Sequence, residues 1–482
     1  MQQVKFVEKG DKPLEIVTTR QWYIRNGGRD EDLRGALVAR GDQITWHPSY
    51  MQARYTAWVE GLNGDWLISR QRFFGVPIPV WYRVDEHGER GEVLVPDEAS
   101  LPVDPSTDVP AGFTEDQRGV PGGFEGDHDI MDTWATSSLT PQIAGGWADD
   151  PELFDLVFPF DLRSQGQDII RTWLFSTVLR AELESGTVPW GNAGISGFIV
   201  DPDRKKMSKS KGNVVTPAAM LDEHGSDAVR YWAASSRLGS DAAFDPQNPK
   251  LMKIGRRLAI KVLNAAKFVH GFEATEGAVP TRPLDLDLLA ELAVVVKTAT
   301  KAYEEYDHAR ALEVTEAFFW TFCDDYLELV KERAYDVDGE HQASAAAALR
   351  IALSTLLRLL APVLVFAAEE SWSWFNEGSV HHAEWPTAPL ELDGIVGDPA
   401  LLVAASAALI GIRRAKTEAK ASQKTVVTRA TLRGPAETLA VLRLAEGDLR
   451  AVGRIETLEF AVGEALAVTS IELAPAEPVA GV

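Results

Sequence analysis

Between about residues 250 and 375, apolar side chains recur at a spacing that suits packed helices. Leu258, Val262, Ala265 and Val269 lie three or four residues apart, as do Leu288, Leu292, Val295, Ala299 and Ala302. Phe318, Phe319, Phe322, Tyr326 and Leu329 continue the pattern. Each set forms a stripe along one face of a 3.6-residue helix, and such a stripe must be buried against another element. Three stripes in succession predict an antiparallel helix bundle. The preceding stretch, from 131 to about 245, has another rhythm, with short apolar runs alternating with helical segments: LVFPFDL (156–162), DIIRTWLFSTVLRAEL (168–183), GISGFIV (194–200). That is the pattern of a parallel α/β sheet, so the fold class expected is α/β plus all-α.

The flanks are less regular. Residues 1–130 are rich in turns and short strand patterns, such as LEIVTTRQWYI (14–24) and VPIPVWYRV (76–84), with one amphipathic helix expected near 49–62. They read as connecting structure. The Pro/Gly-containing stretch 376–400 reads as a linker, followed by a helix over about 400–420 and by strands at TLEFAV (457–462) and SIELAP (470–475). These predict a small α/β domain at the carboxyl end. No internal repeat is visible. Four segments result: 1–130, 131–245, 246–390 and 391–482.

Composition narrows the possibilities. The 482 residues are 45% apolar, enough for substantial cores and too apolar for a disordered chain. The most apolar run, TLLRLLAPVLVFAA (355–368), is interrupted by Arg358 and Pro362, so it predicts a kinked core helix and no membrane partner. The first residues, MQQVKFVEKG, have no apolar secretory core, and Cys323 is the only cysteine, which points to a reducing cytoplasm and excludes Cys-rich zinc sites. The net charge of −23 argues against a nucleic-acid partner when taken alone. Basic residues nevertheless cluster at 204–211, 250–267 and 413–424. Such clusters either bind polyanions locally or form solvated helix faces.

The densest chemistry is in DPDRKKMSKSKGNVV (201–215), where Lys206, Met207, Ser208, Lys209 and Ser210 are followed by Lys211, Gly212 and Asn213. Two lysines, two hydroxyls and loop amides within five residues suit a leaving pyrophosphate whose charge grows in the transition state. The string stands after an expected strand, GISGFIV, and before an expected helix, TPAAMLDEHGSDAVRYWAA (216–234).

This string resembles the second signature of the class I aminoacyl-tRNA synthetases, and its neighbours resemble the valyl-tRNA synthetase family. The resembling segments are WLISRQRFFGVPIPVWY (66–82), DTWATSSLTPQI (132–143), PFDLRSQGQDIIRTW (159–173), FCDDYLELVKERAY (322–335) and SVHHAEWP (379–386). The resemblance implies the second half of a Rossmann-type catalytic domain, an anticodon-binding helix bundle and a small C-terminal α/β domain. It further implies ATP-dependent activation of valine and its transfer to tRNA(Val), with Mg²⁺ required. Lys206 and Lys209, with Met207, Ser208 and Ser210, would hold the ATP phosphates. Gly166 and Asp168 would approach the ribose, glycine for close contact and the carboxylate for hydroxyls. Asp168 could also cap a helix. Gln167 stands where the family more often has histidine, which leaves that side chain's role open. Trp134, Ile169 and Trp173 match positions that line the valine pocket in similar enzymes.

One element of the family is not found: none of the nine histidines stands in an HxGH pattern, and the opening VKFVEKGDKPLEIVTTRQWYI resembles the exit from the family's editing insertion. The expectation is a chain unable to form the adenylate alone, partnered by a complementary N-terminal polypeptide. The alternatives are an isoleucyl- or leucyl-type synthetase fragment and a noncatalytic tRNA-binding scaffold.

Overall fold

The computed structural model describes residues 6, 10, 12–13, 19–207, 214, 216–272, 277–336, 339, 341–386, 397–398 and 400–474. They fall into two compact units, Met1–Phe198 and Ile199–Val482.

In the first unit, Asp30 starts the helix Glu31–Gln43 by accepting a hydrogen bond from the Leu33 amide at 3.0 Å. The chain then forms the strand Thr45–His47 and the helix Gln52–Glu60. Thr45–His47 lies beside Trp190–Ser196, which lies beside Phe160–Gly166, and both pairings are parallel. One core joins Leu37, Trp46, Tyr55, Leu174, Val178 and Trp190. Tyr55 donates to the Leu37 carbonyl at 2.9 Å, and its ring fills the space beside Gly41, where a Cβ would lie 2.5 Å away. Residues 31–60, expected as connecting structure, therefore share a core with the sheet. A three-residue strand is too short to show a period of two, which is why its pattern was not legible.

Other expected strands shift or shrink. In LVFPFDL, Asp150 caps a helix with Pro151 in its first turn, so Pro151–Val157 is helical and the strand begins at Phe160. In VPIPVWYRV only Trp81–Val84 forms a strand, antiparallel to both Arg90–Leu94 and Phe124–Gly126. Pro77 and Pro79 lack the N–H that a ladder requires. Residues 14–18 of the first strand pattern lie outside the described residues, and Tyr23–Ile24 pairs with Trp66–Leu67.

In the second unit, Ile199–Val200 pairs in parallel with Ala242–Ala243. The expected helix over 216–234 is two helices, Ala218–His224 and Ser226–Ala234, divided at Gly225, whose φ of 84° breaks the helix. Asp227 caps the helix Val365–Ser373, accepting from the amides of Phe366 at 3.1 Å and Ala367 at 2.8 Å. The predicted bundle is built from Lys250–His270, Pro283–Glu304, His308–Thr321, Leu327–Tyr335, Gln342–Leu360 and Val365–Ser373. By length and composition Gln342–Leu360 is apolar enough to cross a membrane, yet Leu349, Leu353, Leu356 and Leu360 are buried in the bundle core.

The helix Ala400–Glu418 and the sheet Ile455–Val462, Val427–Gly434, Ala467–Leu473 continue that core through Leu402, Leu409, Val427 and Leu432. Asp285, fully buried, accepts from Tyr326 Oη at 2.8 Å, Ser344 Oγ at 2.6 Å and two Arg333 nitrogens at 2.7 and 2.8 Å. Arg333 reaches on to Asp448 at 2.9 Å. Arg333, in FCDDYLELVKERAY, therefore fastens the bundle to the C-terminal helix Glu446–Gly453, while Tyr326 of the same segment holds the Asp285 carboxylate that Arg333 pairs with.

Candidate active site

Gly166 ends the strand Phe160–Gly166, in register with Ser196 at the end of its parallel neighbour. Carboxyl ends of parallel strands are where sheets of this kind take ligands. The chain then turns through Gln167–Ile169 and the wider turn Ile170–Leu174 into the helix Phe175–Ser185. Asp168 is exposed, and its carboxylate folds back over Gly166, where an added Cβ would stand 2.8 Å from Oδ1. The cap positions of the three segments fall on Gly166, Ile169 and Leu174.

Asp132 starts the short helix Thr133–Ser137 by accepting from the Trp134 amide at 3.0 Å. Its other carboxylate oxygen is ion-paired to Arg70, from the SRQR stretch. Arg70 also donates to the carbonyls of Leu67 and Ser69, both at 2.8 Å. Trp134 is thereby held at the mouth of a cavity of about 670 Å³, walled by Trp58, Arg70, Asp132, Trp134, Asp168 and Phe175 among others. Two expected site residues, Trp134 and Asp168, meet in this wall. Ile169 and Trp173 are not part of it: Ile169 is half-buried beside it, and Trp173 donates to the Ser137 carbonyl at 2.8 Å under the guanidinium of Arg163. Trp58, Arg70 and Asp132 had no role in the sequence reading, although SRQR and DTW were the segments that held two of them.

In the second unit the lysine-bearing stretch begins as a tight hairpin. The Asp201 amide donates to the Lys205 carbonyl at 2.9 Å, the Lys205 amide to the Asp201 carboxylate at 2.8 Å, and Arg204 takes a φ of 60°. Lys206 emerges exposed from a bridge with Val200. Met207 is half-buried and packs against Met220, Ala228, Phe244 and Met252, so its side chain anchors the stretch. Ser208, Lys209 and Ser210 lie outside the described residues, as do Lys211, Gly212 and Asn213.

The other basic clusters are partly consumed by structure. Lys261 pairs with Asp324 at 2.8 Å, and Arg257 lies 5.1 Å over the Trp320 ring. Lys416 is only 1% exposed and donates to the carbonyls of Gln423, Thr425 and Gly453 at 3.0, 2.9 and 2.8 Å. Burial pushes its ammonium pKa down. Among the described residues no group of three or more His, Cys, Asp or Glu side chains could hold a metal ion.

Residues 7–245 match the family model for class I tRNA synthetases (I, L, M and V), and residues 285–431 match that for the anticodon-binding domain of tRNA ligases. A valine–tRNA ligase of Leifsonia xyli subsp. xyli is 64% identical over 478 residues, covering 98% of this chain and 56% of that protein. The chain belongs to the class I aminoacyl-tRNA synthetases, in the valyl family. A valyl relative from Thermobifida fusca is 61% identical over 482 residues, with 98% of this chain and 54% of its own length covered. The chain thus spans about half the length of the curated valyl synthetases it matches. Solved synthetases share the fold at low identity. The Agrobacterium radiobacter K84 LeuRS–tRNA–LeuAMS complex superposes with a TM-score of 0.55 at 18% identity, over 84% of this chain and 52% of that one. The Mycobacterium tuberculosis methionyl-tRNA synthetase bound by methionyl-adenylate gives 0.53 at 20% identity, over 73% and 62%.

Proposed function

We propose that this chain supplies part of a valine–tRNA ligase, which activates valine with ATP and passes it to tRNA(Val). The observation that carries the reading is the cavity at the carboxyl end of the parallel sheet, with Trp134 and the Asp168 carboxylate in one wall. Adenylate formation needs a ribose contact next to a shaped apolar surface, and those two residues offer one of each. Asp168 accepts from ribose hydroxyls, and Gly166 lets the sugar approach. Trp134 forms the wall of the valine pocket, with Ile169 and Trp173 behind it. Lys206 and Lys209, with the Met207 backbone and the hydroxyls of Ser208 and Ser210, take the phosphates, so that positive charge faces the departing pyrophosphate.

Mg²⁺ enters with the nucleotide, since this ion keeps most of its waters and leans on phosphate oxygens in preference to an all-protein cage. A pocket of this kind rejects larger side chains sterically but discriminates poorly against threonine, for which valyl-tRNA synthetase is itself the standard illustration. The bundle takes the tRNA, within the four segments 1–130, 131–245, 246–390 and 391–482, and the enzyme works in the cytoplasm. That the methionyl relative holds an adenylate and the leucyl one a tRNA supports both halves of the reading.

The nine histidines form no HxGH pattern, so a complementary polypeptide completes the ATP site. Valine-dependent ATP–pyrophosphate exchange tests this. The 482-residue chain alone is expected to be silent, and co-expression with the part of the Leifsonia enzyme that it does not match is expected to restore exchange. Exchange by the chain alone would overturn the need for a partner, and silence of the pair would overturn the ligase reading.

A further inference from the structure

The indole of Trp173 is held both on its face and at its edge. On the face lies Arg163, whose guanidinium carbon stands 3.6 Å from the ring centroid. At the edge, Nε1 donates to the Ser137 carbonyl at 2.8 Å. The two holds come from different elements. Arg163 belongs to the strand Phe160–Gly166, in register with Ala193 of the parallel neighbour. Ser137 is the last residue of the helix Thr133–Ser137, which also carries Trp134.

Among the described residues the ring is the one electrostatic partner of the Arg163 side chain: its Nε is buried without a hydrogen-bond acceptor, and no carboxylate pairs with it. Burial pulls its pKa down, so the charge is kept at a cost. The electron-rich face of the indole offsets that cost, tryptophan being the aromatic ring that attracts a desolvated cation most strongly. A guanidinium suits the place because it is planar and weakly hydrated, and lies flat on a ring where an ammonium keeps its water.

The helix Thr133–Ser137 has five residues, too few to hold its own shape. Arg70 fixes its start through Asp132, and Trp173 fixes its end through Ser137. Arg180 adds a hold one residue on, donating from Nε to the Ser138 hydroxyl at 3.2 Å. Arg163 itself is not in the cavity wall.

We infer that Arg163 is a positioning residue for the amino-acid pocket: it holds the Trp173 indole in place and, through the Ser137 carbonyl, fixes the end of the helix that carries Trp134. The inference rests on the function proposed above, in which both tryptophans belong to the valine pocket. Arg163 touches no substrate, so it governs the fit of valine and leaves the nucleotide alone.

The first test needs no activity. The full 482-residue chain is labelled with fluorotryptophan, and fluorine NMR gives a signal for each of the fourteen tryptophans. Trp173→Phe and Trp134→Phe identify two of them. Arg163→Met, which keeps length and removes charge, is expected to move and broaden both signals, and Arg163→Lys is expected to move them less. Far-UV circular dichroism checks that the variants fold. Should Arg163→Met not fold, Arg163→Lys takes its place. A Trp173 signal unmoved in the folded variant would overturn the inference.

The second test measures ATP–pyrophosphate exchange after co-expression with the unmatched portion of the Leifsonia enzyme. Arg163→Met is expected to raise KM for valine roughly 3- to 30-fold, the range of a cation–ring contact, with KM for ATP nearly unchanged and partial recovery in Arg163→Lys. An unchanged KM for valine, or an equal rise for both substrates, would also overturn it. The two ideas fail separately. An active wild-type pair whose Trp173 signal ignores Arg163 defeats the positioning role alone, whereas moved signals in a chain whose wild-type pair is inactive defeat the ligase reading and leave the hold on the indole standing.

Discussion

The carboxylate of Asp168 is folded so closely over Gly166 that a Cβ on the glycine would stand 2.8 Å from Oδ1. Gly166 has an ordinary extended backbone, with φ −76° and ψ 150°, so alanine there meets no torsional strain. Its methyl group instead pushes the Asp168 carboxylate off the turn. Gly166→Ala is therefore expected to leave the melting temperature nearly unchanged while weakening ATP binding in the assembled enzyme. Losing one charged hydrogen bond to ribose corresponds to roughly 10- to 100-fold in KM for ATP. Asp168→Asn, which keeps the shape and removes the charge, separates carboxylate chemistry from crowding.

Arg70 acts on the pocket through Asp132. Its guanidinium fixes the carboxylate that receives the Trp134 amide, so the pair sets where the helix Thr133–Ser137 begins. Arg70→Ala leaves an 8%-exposed Asp132 without its counter-charge, at a cost of about 1–3 kcal/mol. In the assembled enzyme the expected signature is a raised KM for valine with KM for ATP little affected. Equal loss for both substrates would mean that Arg70 does not act through Trp134.

How far the sequence revealed this molecule depended on the length of the pattern. Stripes such as Leu288, Leu292, Ala299 and Ala302 extend over several turns, and they were found buried along Pro283–Glu304 as expected. Thr45–His47 has three residues, and its place beside Trp190–Ser196 is fixed by partners almost 150 positions away, which no local period can encode. Of the residues expected at the site, Trp134 and Asp168 share the cavity wall, and they could be singled out in the sequence only because their segments resemble a family. Asp132 stands beside Trp134 and Arg70 in a separate resembling segment (66–82), but the ion pair joining them is a tertiary fact. Lys416 illustrates the reverse. In the sequence it belongs to a basic cluster, whereas in the fold it is spent on three carbonyls.

The second unit should lose stability as pH rises towards neutrality. Asp287 is buried, with one oxygen accepting from the Leu402 amide at 2.7 Å and the other unpaired. Burial lifts its pKa to about 6, and burial together with the Asp287 charge lifts Glu291, one helical turn on, to about 7. Acids whose folded pKa exceeds the unfolded value hold extra protons when folded. Their contribution is complete below the ordinary values of 3.8 and 4.5 and is lost as pH rises through about 6 and 7. The loss is expected to be on the order of a few kcal/mol, seen as a falling melting temperature between pH 4 and 8. Asp287→Asn with Glu291→Gln should flatten that slope, and a slope unchanged in the double variant would refute the assignment.

Removing Asp285 is expected to be the most damaging single change in the bundle. Its carboxylate is the shared acceptor for Tyr326, Ser344 and Arg333, and it is wholly buried, so Asp285→Ala orphans two hydroxyls and half of a guanidinium together. Breaking a buried ion pair from one side costs about 3–5 kcal/mol, because the remaining charge stays out of water. Asp448 still holds Arg333 at 2.9 Å, which places the loss at the lower end of that range. Asp285→Asn, which retains one acceptor oxygen, should lose less. Cys323 provides the readout: the sole cysteine is 3% exposed, and burial pushes its thiol up to about 12, so it is inert to thiol reagents until the bundle opens. Labelling of Cys323 against urea should shift to lower concentration in Asp285→Ala, while unfolding of the first unit, followed by its own tryptophans, stays in place. A thiol that labels at the same urea concentration in variant and wild type would show that Asp285 does not hold the bundle together.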